Sequence, residues 1–247
     1  MKERLDITLA GKGLFPSREK AKAAIMAGVV YVDGVRADKP GTPVNGEAEF
    51  SVREKACPFV SRGGLKLAKA LEEFAIDLVG TCCMDIGAST GGFTDCMLQN
   101  GATSVYSVDV GYGQLDWKLR NDSRVVVLEK TNIRYLDTSL IAERFDFISI
   151  DVSFISLKLV LPVAAQLIKP DGMIVCLVKP QFEAGRGQVG KKGIVRDSNV
   201  HNEVIAKVIG YGKDSGMYNR GAIPSPITGA KGNVEFLLLF DKNSVIL

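Results

Sequence analysis

TCCMDIGASTGGF, residues 81–93, decides the fold. An apolar run ends on Asp85 and opens into a loop holding Gly87, Gly91 and Gly92. It reads as a short buried strand, a tight turn, and a helix over Phe93 to Gln99. Outward from it the same rhythm repeats. LKLAKALEEFAI before it is an amphipathic helix. SVYSVDVG, VVVLE, FDFISIDV and GMIVCLVK after it are further strands, with helical stretches such as ISLKLVLPVAAQLI between most of them. Unbroken apolar strands alternating with helices predict an α/β unit: a parallel sheet with helices on both faces, beginning near Ser61. Such sheets bind ligands at the strand C-terminal ends, close to the point where strand order reverses.

Glycines let a backbone turn tightly and approach a ligand. Asp109 ends the next strand, about 20 residues on, where an acid can hold ribose hydroxyls. The loop is not the dinucleotide pattern GxGxxG, because Ser89 stands at its second glycine. A dinucleotide, S-adenosylmethionine and a plain strand–helix turn all remain open on this pattern. Asp85 could serve the following helix as an ordinary cap partner. A carboxylate there disfavours a pyrophosphate and suits a positively charged ligand.

The first part of the chain has another character. Residues 1–69 hold 13 Lys and Arg against 8 Asp and Glu, while the remainder carries a net charge of −2. A basic module suggests a polyanionic partner. Arg4 to Lys12 reads as a short helix stopped by Gly13. SREKAKAAIMAG reads as a second, capped by Ser17 and ended by Gly28, with Ala21, Ala24 and Ile25 inward. VVYVDGVRAD is a hairpin turning at Asp33–Gly34. Boundaries of 1–55 for this domain, 56–60 for a linker and 61–247 for the second domain follow from the charge cluster and proline in VREKACPFV.

These stretches carry resemblances. RLDITLAGKGLFPSREKAKAAIMAGVVYVDGVRADKPGTPV resembles an S4-type RNA-binding domain of α+β structure. That resemblance implies RNA contacts by Arg4, Arg18, Lys20 and Lys22. DIGASTGGF resembles the cofactor loop of the FtsJ-like RNA 2′-O-methyltransferases. SRGGLKL, DVGYGQLDWKLRND, DVSFISL, LVKPQFE and GNVEF resemble, in order and over essentially the whole chain, the TlyA family, also called haemolysin A-like. The resemblance implies a Rossmann-like methyltransferase sheet behind an S4 domain. It also implies methyl transfer from S-adenosylmethionine to a ribose 2′-hydroxyl, typically of cytidine, in the RNA of a ribosomal subunit. Carried over, the family's Lys–Asp–Lys–Glu set falls on Lys66, Asp151, Lys179 and Glu235. The cofactor positions implied are Asp85, Gly87, Ala88, Ser89, Gly91, Gly92, Phe93, Asp109, Val110 and Asn132. Arg62, Lys191, Lys192 and Arg196 join the RNA-binding set.

The chain supports parts of this by itself. Asp151 and Lys179 both end apolar strands, where a parallel sheet presents its site. A ribose hydroxyl is a poor nucleophile, so a base or a polarising group must meet it. Lys179 is the expected base or orienting group, Lys66 its support, and the two carboxylates their holders.

Other classes are excluded or weakened. With His201 as the sole histidine, expected on a helix surface, a Ser–His–Asp triad or a multi-histidine metal site has little to draw on. Five cysteines form no CxxC pair; Cys82, Cys83 and Cys176 are expected as buried, reduced thiols of a cytoplasmic protein. MKERLDITLAGKG lacks the apolar region of a signal peptide, and no run approaches the roughly 20 residues of a membrane span, so no membrane partner is expected. Residues 185–191 match GxxxxGK, but residue 192 is Lys where a phosphate loop needs Ser or Thr for Mg²⁺, so a nucleoside triphosphate site is rejected. Direct membrane lysis, and a nicotinamide-dependent enzyme with an RNA-binding appendage, stand as the alternatives.

Overall fold

The structure is a computed structural model that describes residues 2–26, 28–52, 57–138, 141, 143–185, 187–190, 192–229 and 232–244. The chain divides into two compact units, Met1–Pro58 and Phe59–Leu247.

In the first unit, β1 (Lys2–Arg4) leads into α1 (Leu5–Gly11), followed by α2 (Arg18–Met26). β2 (Val30–Val32) and β3 (Val35–Arg36) form the expected hairpin. Asp33 (φ 48°) and Gly34 (φ 77°) both take the left-handed conformation that a tight hairpin turn requires. β5 (Phe50–Val52) pairs with β2, and β4 (Pro43–Asn45) pairs with β1. Leu5, Leu9, Ala21, Ile25, Val30 and Val44 make a small core. Strands β1, β4 and β5 lie outside the expected helices and hairpin; at three residues each they are too short to show an alternation.

The second unit opens with α3 (Gly63–Glu73). Then come β6 (Cys82–Ile86), α4 (Gly92–Gln99), β7 (Ser104–Val108), α5 (Trp117–Arg120), β8 (Val125–Leu128) and β9 (Phe145–Ile150). α6 (Leu161–Leu167), β10 (Ile168–Val178), α7 (Pro180–Glu183), α8 (Ser198–Asp214), β11 (Tyr218–Pro224) and β12 (Phe236–Asp241) complete it. Among the described residues seven strands form one sheet, in the order β11-β12-β10-β9-β6-β7-β8. The five strands from β10 to β8 are parallel. β12 runs antiparallel to both β10 and β11, so the sheet is mixed rather than purely parallel. β11, with its NRG centre, lacks the apolar run that marks the other strands.

Residues alternate between two cores. Met84, Ile86, Ile148, Ile150, Ile174 and Cys176 face α6 and α8. Cys83, Phe147, Val175, Leu177, Leu237 and Leu239 face α3 and α4. With both faces buried, the period of two is hidden in continuous apolar runs. α3 ends earlier than its apolar pattern, where Ala75 turns left-handed (φ 51°). Two side chains sit differently from expectation. Cys82 is only half-buried, although Cys83, Cys96 and Cys176 are buried. His201 is buried, its Nε2 3.0 Å from the Val195 carbonyl and its ring edge-on to Phe236. A single imidazole with an apolar face and one polar tip fits a half-apolar helix as well as a solvated one.

A polar row crosses the core beneath α4. Register places Asp85 beside Ser107 on one strand and Ser149 on the other. The Asp85 carboxylate, fully buried, accepts from Thr94 N (2.9 Å), Thr94 Oγ1 (2.7 Å) and Ser149 Oγ (3.0 Å). It thereby ties the first turn of α4 to the strand ends. Burial pushes its pKa up to about 6, against the pull of those donors. The folded protein then holds this proton more tightly than the unfolded chain. Its contribution to stability is full below about pH 4 and is lost as pH rises through about 6. In Asp85→Asn that loss disappears. Its unfolding free energy, read from denaturant titrations, should rise up to about 3 kcal/mol more than wild type between pH 4 and 7. Identical pH dependence in both proteins would refute this account of Asp85.

Candidate active site

The site forms where β6 and β9 end side by side. Gly87 leaves β6 with φ 87°, and a Cβ there would lie 2.4 Å from the Asp151 carbonyl oxygen. Asp151 N–H donates to Ile86 O at 2.9 Å. Gly91 (φ 91°) starts α4, and a side chain there would run into Leu119. No L-residue fits either position without moving its neighbour. Asp109, at the end of β7, braces this loop: its Oδ2 accepts from Ser89 N–H (2.7 Å) and its Oδ1 from Gly111 N–H (2.6 Å).

Two cavities open at these strand ends. The larger, about 680 Å³, is lined by Gly87, Ser89, Asp109, Val110 and Asn132 of the expected cofactor set, with Ile133 beside them. The smaller, about 190 Å³, is lined by Ala88, Gly92 and Phe93 and by Lys179. Gly87, Ser89, Asp151 and Ser153 line both, so the cavities share a wall. Gly91 shapes the loop from behind and lines neither. Asp85 lines neither: its carboxylate accepts from Thr94 and Ser149.

The four expected catalytic residues come together as two ion pairs. Lys179 Nζ lies 2.5 Å from Asp151 Oδ1 and donates to Ser153 Oγ at 2.9 Å. Lys179 caps α7, where Pro180 takes the first helical position; a proline there loses no hydrogen bond. Lys66 Nζ lies 2.6 Å from Glu235 Oε2, and both side chains are at least nine-tenths buried. Glu235 sits one residue before β12, and Gly229 packs so close that a Cβ would reach its Oε1. Of the two pairs, Lys179–Asp151 lines these cavities; Lys66 and Glu235 line neither of them.

Ser153 and Phe154 give no signal in the sequence, because a serine and a phenylalanine after a strand read as loop. Phe154 takes the left-handed region (φ 64°) and is 91% exposed, its ring 5.0 Å from that of Phe182. Glu183 gives none either. Its buried carboxylate accepts from Ser156 Oγ and Leu157 N–H, both at 2.7 Å, and ties α7 to the loop after Asp151.

The basic residues separate into groups. In the first unit the buried Asp6 carboxylate grips Arg4 (3.0 Å) and Arg18 (2.9 Å), each guanidinium about half exposed. Arg4 first, and Arg18 with it, lowers the Asp6 pKa to about 2. Lys20 and Lys22 are exposed. In the second unit Arg62, Lys192 and Arg196 are exposed; Lys191 lies outside the described residues. Between Lys192 and Arg196 the chain is pinned at Val195. Its N–H donates to Asn233 Oδ1 (3.0 Å), and His201 holds its carbonyl. Among the described residues no group of three His, Cys, Asp or Glu is placed to hold a metal ion, and no helix is long and apolar enough to cross a membrane.

Comparison with known proteins assigns a family to each unit. Residues 59–242 match the FtsJ-like methyltransferase model, and residues 3–50 match the S4 domain model. The chain belongs to the FtsJ-like methyltransferase family. YqxC of Bacillus subtilis is 54% identical over 238 residues, covering 96% of this chain and 85% of that protein. TlyA of Mycobacterium tuberculosis, named a 16S/23S rRNA (cytidine-2'-O)-methyltransferase, is 47% identical over 236 residues, covering 95% and 88%. A solved structure from Streptococcus thermophilus, titled as a hemolysin, is 48% identical with a TM-score of 0.78, covering 98% of this chain and 89% of that one. The FtsJ-like unit thus carries the glycine loop, both cavities and both ion pairs, while the S4 unit carries the Asp6-held arginines.

The buried Lys66–Glu235 pair is open to a stability test. Breaking a buried pair strands a charge, whereas replacing both partners by apolar groups does not. Lys66→Met should lower the unfolding free energy by about 3 kcal/mol, and Lys66→Met with Glu235→Leu should recover most of it. Chemical denaturation of the three proteins checks this; no cost in the single variant contradicts the pairing.

Proposed function

We propose that this chain transfers a methyl group from S-adenosylmethionine to the 2′-hydroxyl of a cytidine ribose in ribosomal RNA, acting on a ribosomal subunit in the cytoplasm. The observation that carries the proposal is the shared wall: a ligand-sized cavity and a small one meet at Asp151, and Lys179 lines the small one.

The larger cavity fits the cofactor. Its volume lies within the range of small-molecule sites. Asp109, already oriented by two backbone N–H groups, keeps lone pairs for ribose hydroxyls. Val110 and Ile133 offer apolar contact for an adenine, and Asn132 lies beside them. The Asp151 carboxylate against the glycine loop disfavours a pyrophosphate and tolerates a cation. When bound, S-adenosylmethionine supplies a methyl group made electrophilic by its sulfonium.

The chain's own residues do the rest. Lys179, held by Asp151 and Ser153, meets the 2′-hydroxyl in the small cavity and orients it or takes its proton. Lys66 and Glu235 form a fixed charge pair that supports it. Holding both reactants across one wall replaces an encounter by a positioned attack, an effect worth up to about 7–11 kcal/mol in well-oriented systems. Arg4, Arg18, Lys20 and Lys22 hold RNA phosphates, joined by Arg62, Lys192 and Arg196 from the second unit; such contacts position without reading sequence. Residues 56–60 serve as the link between the two activities.

In single-turnover assays with labelled cofactor and rRNA, Lys179→Ala should lose at least about 100-fold in rate. Its affinity for S-adenosylhomocysteine, by calorimetry, should stay near wild type. A variant that methylates at the full rate removes Lys179 from the chemistry.

A further inference from the structure

The Lys179 side chain does not rest on its ion pair alone. We infer that Ser153 is a positioning residue for the reaction, the hydrogen-bond acceptor that fixes the direction in which Lys179 meets the 2′-hydroxyl. The inference rests on the function proposed above.

A lysine ammonium carries three donors and no acceptor. One of them goes to Ser153 Oγ (2.9 Å); Asp151 Oδ1, 2.5 Å from Nζ, is an ion partner that accepts no hydrogen bond. Both partners lie on the segment that leaves β9, two residues apart, and both line the two cavities. The ion pair sets the distance of Nζ from Asp151, and the hydrogen bond to Ser153 sets its direction. On Asp151 alone, the flexible four-carbon stem could swing about a single contact. The constraint serves either state of the lysine. As an ammonium bonded to Ser153, it keeps N–H donors for the hydroxyl. As a free amine, it gives one hydrogen to Ser153 and can turn its lone pair to the hydroxyl. Ser153 is held in turn from both sides. Asp151 N–H bonds the end of β6, and three residues beyond Ser153 the Glu183 carboxylate fastens Ser156 and Leu157 to α7. The 151–157 loop and the 179–183 segment are therefore stapled at two points.

Hydrogen bonds to charged groups lead to the expected size of the effect. Ser153→Ala should lower the single-turnover rate of methyl transfer by about 10-fold or more. Affinity for S-adenosylhomocysteine and KM for rRNA should stay within about twofold, because the geometry of Lys179 is not a binding contact. Ser153→Thr keeps the hydroxyl and should restore most of the rate. In a Lys179→Ala background, Ser153→Ala should cost nothing further, since it acts through a group already gone. Four results overturn the inference: a full rate in Ser153→Ala, equal losses of rate and cofactor affinity, no rescue by threonine, or additive losses in the double variant. Should the wild-type protein itself leave rRNA ribose unmethylated, the proposed function fails and this inference with it. A methylating wild type with an indifferent Ser153 removes the inference alone.

Discussion

The Asp151 carbonyl oxygen lies 2.4 Å from where a side chain at residue 87 would begin. That contact forces glycine at the end of β6 and brings the two central strand ends together. β6 and β9 are neighbours although most of two strand–helix units separate them in sequence, so the order of strands reverses between them. The crevice at such a reversal is where an open α/β sheet binds its ligand. Asp151 consequently stands on the wall common to both cavities, and Lys179, from the next strand over, reaches it.

The site is held by buried polar groups whose cost is met by partners rather than by solvent. Asp85 ties the first turn of α4 to three strands through Thr94, Ser107 and Ser149. Lys66 and Glu235, both buried, meet as an ion pair. A buried pair of this kind is a weak device for stability. It is a good way to keep charge at a set place without reorganisation, as stabilising a developing charge requires. Asp6 does the same for the first unit: one buried carboxylate holds two arginines by one side of each guanidinium and leaves the rest toward solvent.

Much of this was legible in the sequence because it rests on local chemistry. Strands buried on both faces show as apolar runs, and the loop glycines mark where the backbone cannot bear a side chain. Asp151 and Lys179 are visible as charges that end such runs. The hidden parts depend on tertiary contact. Asp85 looks like a residue of the ligand site because it borders the glycine loop, yet the pleat turns it inward to Ser149. His201 looks like a surface residue because nothing in its own helix announces Val195 and Phe236. Lys66 and Glu235 are 169 positions apart, and no local pattern pairs them. β11 escapes for the opposite reason: an edge strand needs one buried neighbour, so its composition stays polar.

The central claim is that the wall at Asp151 joins a methyl donor to a ribose hydroxyl. Incubation of ribosomal subunits with the protein and isotopically labelled S-adenosylmethionine, followed by nucleoside mass spectrometry, tests it most directly. The account predicts label in 2′-O-methylcytidine, with none transferred by Lys179→Ala. Label on a base nitrogen or carbon, or none in rRNA at all, would contradict it.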